Sequence, residues 1–88
     1  MYPESISIEP TQRTPRVILE RGKIFITGRS LPENPYDFYL PIYEWILKYL
    51  NDCPKKTCII LGFELINTMS IKWIFTILRE FGKTFDMP

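Results

Sequence analysis

Residues 64–72 (Glu-Leu-Ile-Asn-Thr-Met-Ser-Ile-Lys) place three short polar side chains where an apolar run gives way to a helical pattern. Asn67, Thr68 and Ser70 are each of a type that caps a helix, accepting a bond from an otherwise orphaned backbone N–H. Two of them also carry a hydroxyl, the group to which a phosphoryl group is transferred. A phosphate here would bring about −1.5 to −2 charges. It would stand beside the partial positive end of the helix and its free N–H groups, where the fold tolerates an anion. A large local change of charge at little cost to the fold is what a partner-binding switch needs. At the other end of the same helix, near Gly82, a phosphate would meet the unfavourable end of the dipole.

Little else in the chain offers chemistry. There is no histidine among the 88 residues, so no Ser–His or Cys–His pair is available and no imidazole base. Cys53 and Cys58 are separated by four residues, which is not the spacing of a redox pair or a zinc knuckle, and two thiols cannot complete a structural zinc site. Cys58 reads as a small core residue opening a strand and Cys53 as part of a turn. The four glycines are scattered, so no glycine-rich loop precedes a helix to hold phosphates. Glu33, Asp37 and Glu64 read as solvated carboxylates rather than a catalytic pair. The inventory predicts no catalytic residue, no metal ligand and no cofactor.

The elements that must position Thr68 follow from apolar periodicity. Ile6 and Ile8 alternate with polar neighbours, consistent with a short edge strand. Arg16–Glu20 and Lys23–Gly28 flank Arg21-Gly22 and predict an antiparallel hairpin. Asn34 is placed to cap a helix with Pro35 at its first position. Phe38, Ile42, Trp45, Ile46, Tyr49 and Leu50 then recur at helical spacing, and Pro41 predicts either a kink or a later regular start near Leu40. Residues 51–54 end that helix. Thr57–Phe63 is nearly all apolar, which predicts a central strand covered on both faces. A second helix is predicted from about Met69 to Phe81, with Ile71, Ile74, Phe75, Leu78 and Phe81 as its buried stripe and Gly82 as its stop. Lys83–Pro88 reads as the start of an extended segment. The order β-β-α-β-α predicts an α/β layer fold with a mixed sheet.

Eleven basic and ten acidic side chains leave a net charge of +1, with 45% hydrophobic and 15% aromatic residues. That composition supports one packed domain and supplies no field toward nucleic acid or an anionic membrane. Arg13, Arg16, Arg21, Lys23 and Arg29, near Tyr36 and Tyr39, are diluted by Glu9, Glu20 and Glu33, which predicts a mixed solvated face rather than a nucleic-acid site. No apolar run reaches bilayer length, and Met1–Ser5 lacks the layout of a signal peptide. The expected compartment is the cytosol.

Gly28-Arg29-Ser30, Pro32-Glu33-Asn34, Phe38-Tyr39, Pro41, Trp45, Tyr49-Leu50 and Glu64-x-x-Asn67-Thr68-x-Ser70 together resemble the SiaC family of bacterial regulatory phosphoproteins, formerly a domain of unknown function. Ile8-Glu9-Pro10-Thr11-x-x-Thr14-Pro15 resembles that family's start, and the match runs from about Ile6 to Gly82. The resemblance implies a STAS-like fold, that of anti-sigma-factor antagonists, and Thr68 as the phosphoacceptor, with Asn67, Met69, Ser70, Ile71 and Lys72 around the switch. It implies a serine/threonine kinase resembling an anti-sigma factor, a metal-dependent phosphatase, and a target bound by the unmodified form. In the best-known members that target is a diguanylate cyclase, which ties partner switching to cyclic-di-GMP signalling and biofilm regulation. Met69 departs from the family pattern, which more often has a small hydroxyl residue there. The family also continues with a further strand and helix, so the resemblance implies a single SiaC-like domain over residues 1–88, truncated at its C-terminus. The competing reading is a non-catalytic interaction or scaffold domain in which Thr68 serves only as a cap.

Overall fold

A computed structural model describes residues 2–85. β1 (Ile6–Ile8), β2 (Arg16–Glu20), β3 (Lys23–Ser30), α1 (Pro35–Asn51), β4 (Cys58–Ile66) and α2 (Thr68–Phe85) follow one another along the chain. The four strands form one sheet in the order β1-β2-β3-β4, antiparallel across the first two junctions and parallel across the last. This is the predicted mixed α/β layer, with the Ile6–Ile8 segment joining as a true strand, so that the order is β-β-β-α-β-α.

Strand alternation puts every second residue on one face, and the registers align these residues into rungs across the whole sheet. Ile6, Leu19, Ile24 and Ile59 form one rung; Ile8, Val17, Ile26 and Leu61 form the next. Both helices cover that face. Val17, Leu19, Ile24 and Ile26 are buried with Tyr39, Ile42, Trp45, Ile46, Tyr49 and Leu50 of α1 and Ile74, Ile77 and Phe81 of α2. The opposite face carries the intervening rung Ser7, Ile18, Phe25 and Ile60. Among the described residues no element packs over it.

α1 begins as its capping signal predicts: Asp37 N–H donates to Asn34 Oδ1 at 3.2 Å, and Pro35 opens the helix. Pro41 lies inside α1 and does not delay its start. It sits in the second turn on the exposed side of the helix. Cys53 follows the helix in a left-handed conformation, φ 51°.

Several expectations are corrected. β4 is not a central strand covered on both faces; it is the last strand of the sheet, and its residues alternate between half-buried and exposed. Cys58 opens it but is exposed rather than a core residue. The buried stripe of α2 is Ser70, Ile74, Ile77 and Phe81, whereas Ile71 and Phe75 are exposed, Phe75 by 62%. Packing against α1 and the sheet, not apolar spacing alone, sets which side of α2 is buried. Gly82 does not stop α2, because the backbone continues helical through Lys83 to Phe85; residues 86–88 lie outside the described residues. No described helix is long and apolar enough to cross a membrane.

Candidate functional site

β3 and β4 run parallel and end together, and α2 starts from that edge. Their pairing slips near the end: Gly28 faces Phe63 but Arg29 faces Leu65, leaving Glu64 as an extra residue. Such a bulge breaks the in–out alternation, so Glu64 and Leu65 are both exposed. Glu64 then meets Arg29 at 3.3 Å. Gly28 lies at φ +116°, a backbone region that side-chain-bearing residues rarely enter. Beyond the bulge the chain is drawn back onto the sheet, where Asn67 N–H donates to the Ser30 carbonyl at 3.0 Å.

Asn67 is the residue that caps α2. Its Oδ1 accepts from Ser70 N–H at 2.9 Å, and its carbonyl accepts from Ile71 N–H at 3.0 Å. Of the three candidate caps, Asn67 therefore takes the role, which leaves Thr68 as the first helical residue. Thr68 is exposed, and no hydrogen bond engages its hydroxyl among the described residues. No acidic side chain stands in the first turn. Ser70 has the opposite fate: it is fully buried, and its Oγ donates to the Ser30 carbonyl at 3.3 Å. The two hydroxyls that look alike in sequence are thus separated by helix geometry, one facing solvent and one facing the sheet.

Beneath Thr68 lies a buried polar cluster that local pattern does not reveal. Ser30 Oγ and the Tyr39 hydroxyl are 2.5 Å apart, both fully buried. Burial pushes the Tyr39 phenol above its ordinary value of 10.0, and the hydroxyls of Ser30 and Ser70 oppose that shift. The cluster joins the end of β3, the first half of α1 and the start of α2. Tyr39 also stacks on Trp73, with ring centres 6.2 Å apart and planes within 13°, while Tyr36 and Tyr43 meet Trp73 edge-on. Ser30 and Tyr39 lie nearly 40 and 30 positions before Thr68, so no spacing rule could have linked them to it.

The surroundings of Thr68 divide into two flanks. Met69, half exposed, and Lys72 border a shallow cavity of about 260 Å³ with Tyr43, Trp73 and Thr76, between the two helices. Ile71 lies about 200° around the helix from Met69 and shares its side with Phe75. Residues 67–72 are therefore brought together as a helix start, but Met69 and Ile71 do not form one apolar surface.

The basic residues near the hairpin do not form a common face. Arg16 pairs with Glu9 at 3.2 Å, Arg29 with Glu64, and Arg13 Nε donates to the Leu31 carbonyl at 3.3 Å. Lys23 lies over Phe25, and Tyr39 is buried. Among the described residues no three His, Cys, Asp or Glu side chains are grouped so as to hold a metal ion.

Comparison with known proteins finds the same fold in solved structures. Apo-SiaC from Pseudomonas aeruginosa superposes with a TM-score of 0.88 at 27% identity, over 94% of this chain and 70% of that one. SiaC of P. aeruginosa in complex with the diguanylate cyclase SiaD, of which it is the activator, matches with a TM-score of 0.86 at 28% identity, over 92% and 68%. An uncharacterised protein of P. aeruginosa strain UCBPP-PA14 is 31% identical over 75 residues, and the chain spans 60% of that relative's length. The sequence profile of the SiaC family regulatory phosphoproteins matches residues 8–86, nearly the whole chain, and the protein belongs to that family.

Proposed function

We propose that this protein is a regulatory phosphoprotein without catalytic activity, switched by reversible phosphorylation of Thr68. A serine/threonine kinase resembling an anti-sigma factor adds the phosphate, a metal-dependent phosphatase removes it, and the unmodified form binds a target in the cytosol. The target class is a diguanylate cyclase, by analogy with the P. aeruginosa SiaC–SiaD complex. One observation carries the reading: Thr68 is exposed at the first position of α2 while Asn67 holds the cap. Its hydroxyl is free for transfer, and the fold does not depend on it. The phosphate would stand at the positive end of an 18-residue helix with no acidic side chain in its first turn. Bound to a target, the same charge would have to be desolvated, so phosphorylation opposes docking without unfolding the domain.

Incubation with the cognate kinase and ATP, followed by peptide mapping, should find phosphate on Thr68. Modification of Thr11, Thr14 or Ser30 with none at Thr68 would overturn the assignment. A plain interaction domain would be recognised by Thr68→Asp retaining target binding; the switch requires that this variant fold normally and lose its target.

A further inference from the structure

The other end of the sheet carries a second site. β4 spans nine residues between it and Thr68, a separation of about 26 Å at 3.3 Å per residue. There the β2–β3 turn, the end of α1 and the loop into β4 enclose a cavity of about 440 Å³ whose lining includes Arg21, Lys55 and Lys56, together with Tyr2 and Tyr49, and, among the described residues, no carboxylate. None of the three cations is ion-paired among the described residues. We infer that this cavity binds a small anion bearing two or more phosphate groups.

Three observations converge on that ligand. First, a concave wall lined by one sign of charge concentrates the field and the counter-ions that answer it, and the volume lies in the range of small-molecule sites. Second, the walls are held in place. Gly22 N–H donates to the Tyr49 hydroxyl at 2.9 Å, the same hydroxyl lies 2.7 Å from Thr57 Oγ1, and Cys58 N–H donates to the Gly22 carbonyl at 2.9 Å. Turn, helix and strand are thus tied together around the opening, so little ordering remains to be done on binding. Third, the Arg21 guanidinium lies 4.7 Å from the centre of the Tyr2 ring, and Tyr2 in turn packs on Tyr49 at 5.3 Å. That stacking fixes the guanidinium, a fork suited to phosphate oxygens, against the mouth of the cavity. Lys55 and Lys56 supply mobile point charges from the facing loop. Lys48 in the last turn of α1 already answers the negative end of that helix, so Lys55 and Lys56 are not needed for that purpose.

The test uses the full chain and inorganic triphosphate as the probe, followed by amide chemical shifts at fixed ionic strength. Saturable shifts centred on Gly22, Cys53, Lys55 and Lys56 are expected, and Lys55→Gln/Lys56→Gln should weaken binding about tenfold or more while leaving the remaining spectrum folded. Arg21→Lys keeps the charge but not the fork, and should weaken triphosphate more than it weakens orthophosphate. Thr68→Ala should bind as the parent does, which separates this site from the switch. Shifts spread evenly over Lys23, Lys72 and Lys83, or no saturation by about 10 mM probe, would overturn the inference.

Discussion

Replacing Asn67 by alanine removes the side-chain acceptor of Ser70 N–H, bonded at 2.9 Å. A surface cap is worth about 0.5–2 kcal/mol. Here Ser70 is fully buried, so water cannot take over the lost bond, and the cost rises to about 2 kcal/mol. For a domain of this size that lowers the melting temperature by about 8–16 °C. Thr68, one residue on, should behave differently. Thr68→Ala removes no hydrogen bond and exchanges threonine for a better helix former, so stability should stay within about 0.5 kcal/mol of the parent. Thr68→Asp adds an anion to the first turn and should stabilise by about 0.3–1 kcal/mol at low salt. Urea unfolding followed by circular dichroism gives all three midpoints at a common slope. If Asn67→Ala matched the parent while Thr68→Ala lost about 1 kcal/mol, the cap would belong to Thr68 and the separation of cap from switch would be refuted.

Two further predictions concern buried residues of α1. Tyr39→Phe leaves the buried Ser30 hydroxyl without its phenol partner and should cost about 1–2 kcal/mol. Because burial raises the Tyr39 phenol above 10.0, its contribution is complete below pH 10 and is lost as pH rises through the folded-state value. Urea midpoints from about pH 8 to about pH 11 should therefore fall less steeply in Tyr39→Phe than in the parent; parallel curves would remove Tyr39 as the cause. Ile46→Ala empties a position with no solvent exposure beneath the sheet and should cost about 2–5 kcal/mol, read as a shifted urea midpoint.

Elements whose signals lie within a few neighbouring residues were legible in advance. The Arg21-Gly22 turn predicts the hairpin, Asn34-Pro35 predicts the start of α1, and the polar cluster at 67–70 predicts the start of α2. The position of Thr68 at that start could be read because capping is local chemistry. Which of the three polar residues caps could not, since Asn67 is chosen by its backbone bond to Ser30, 37 positions away. The burial of Ser70 against the Ser30 carbonyl was equally hidden. So was the Ser30–Tyr39 contact beneath the switch.

The pattern of apolar and polar residues determined, by itself, where strands and helices form and that a hydroxyl stands at the amino end of the last one. Tertiary structure decided the rest. It placed β4 last in the sheet instead of in its middle. It rotated α2 so that Ile77 rather than Phe75 is buried, and it carried that helix through Gly82. The physical reason is that periodicity specifies an apolar stripe only to within a turn or so of the helix, whereas the partner that covers it is selected by contacts between residues far apart in the chain. The same long-range packing sent Thr68 outward to solvent and Ser70 inward to the sheet.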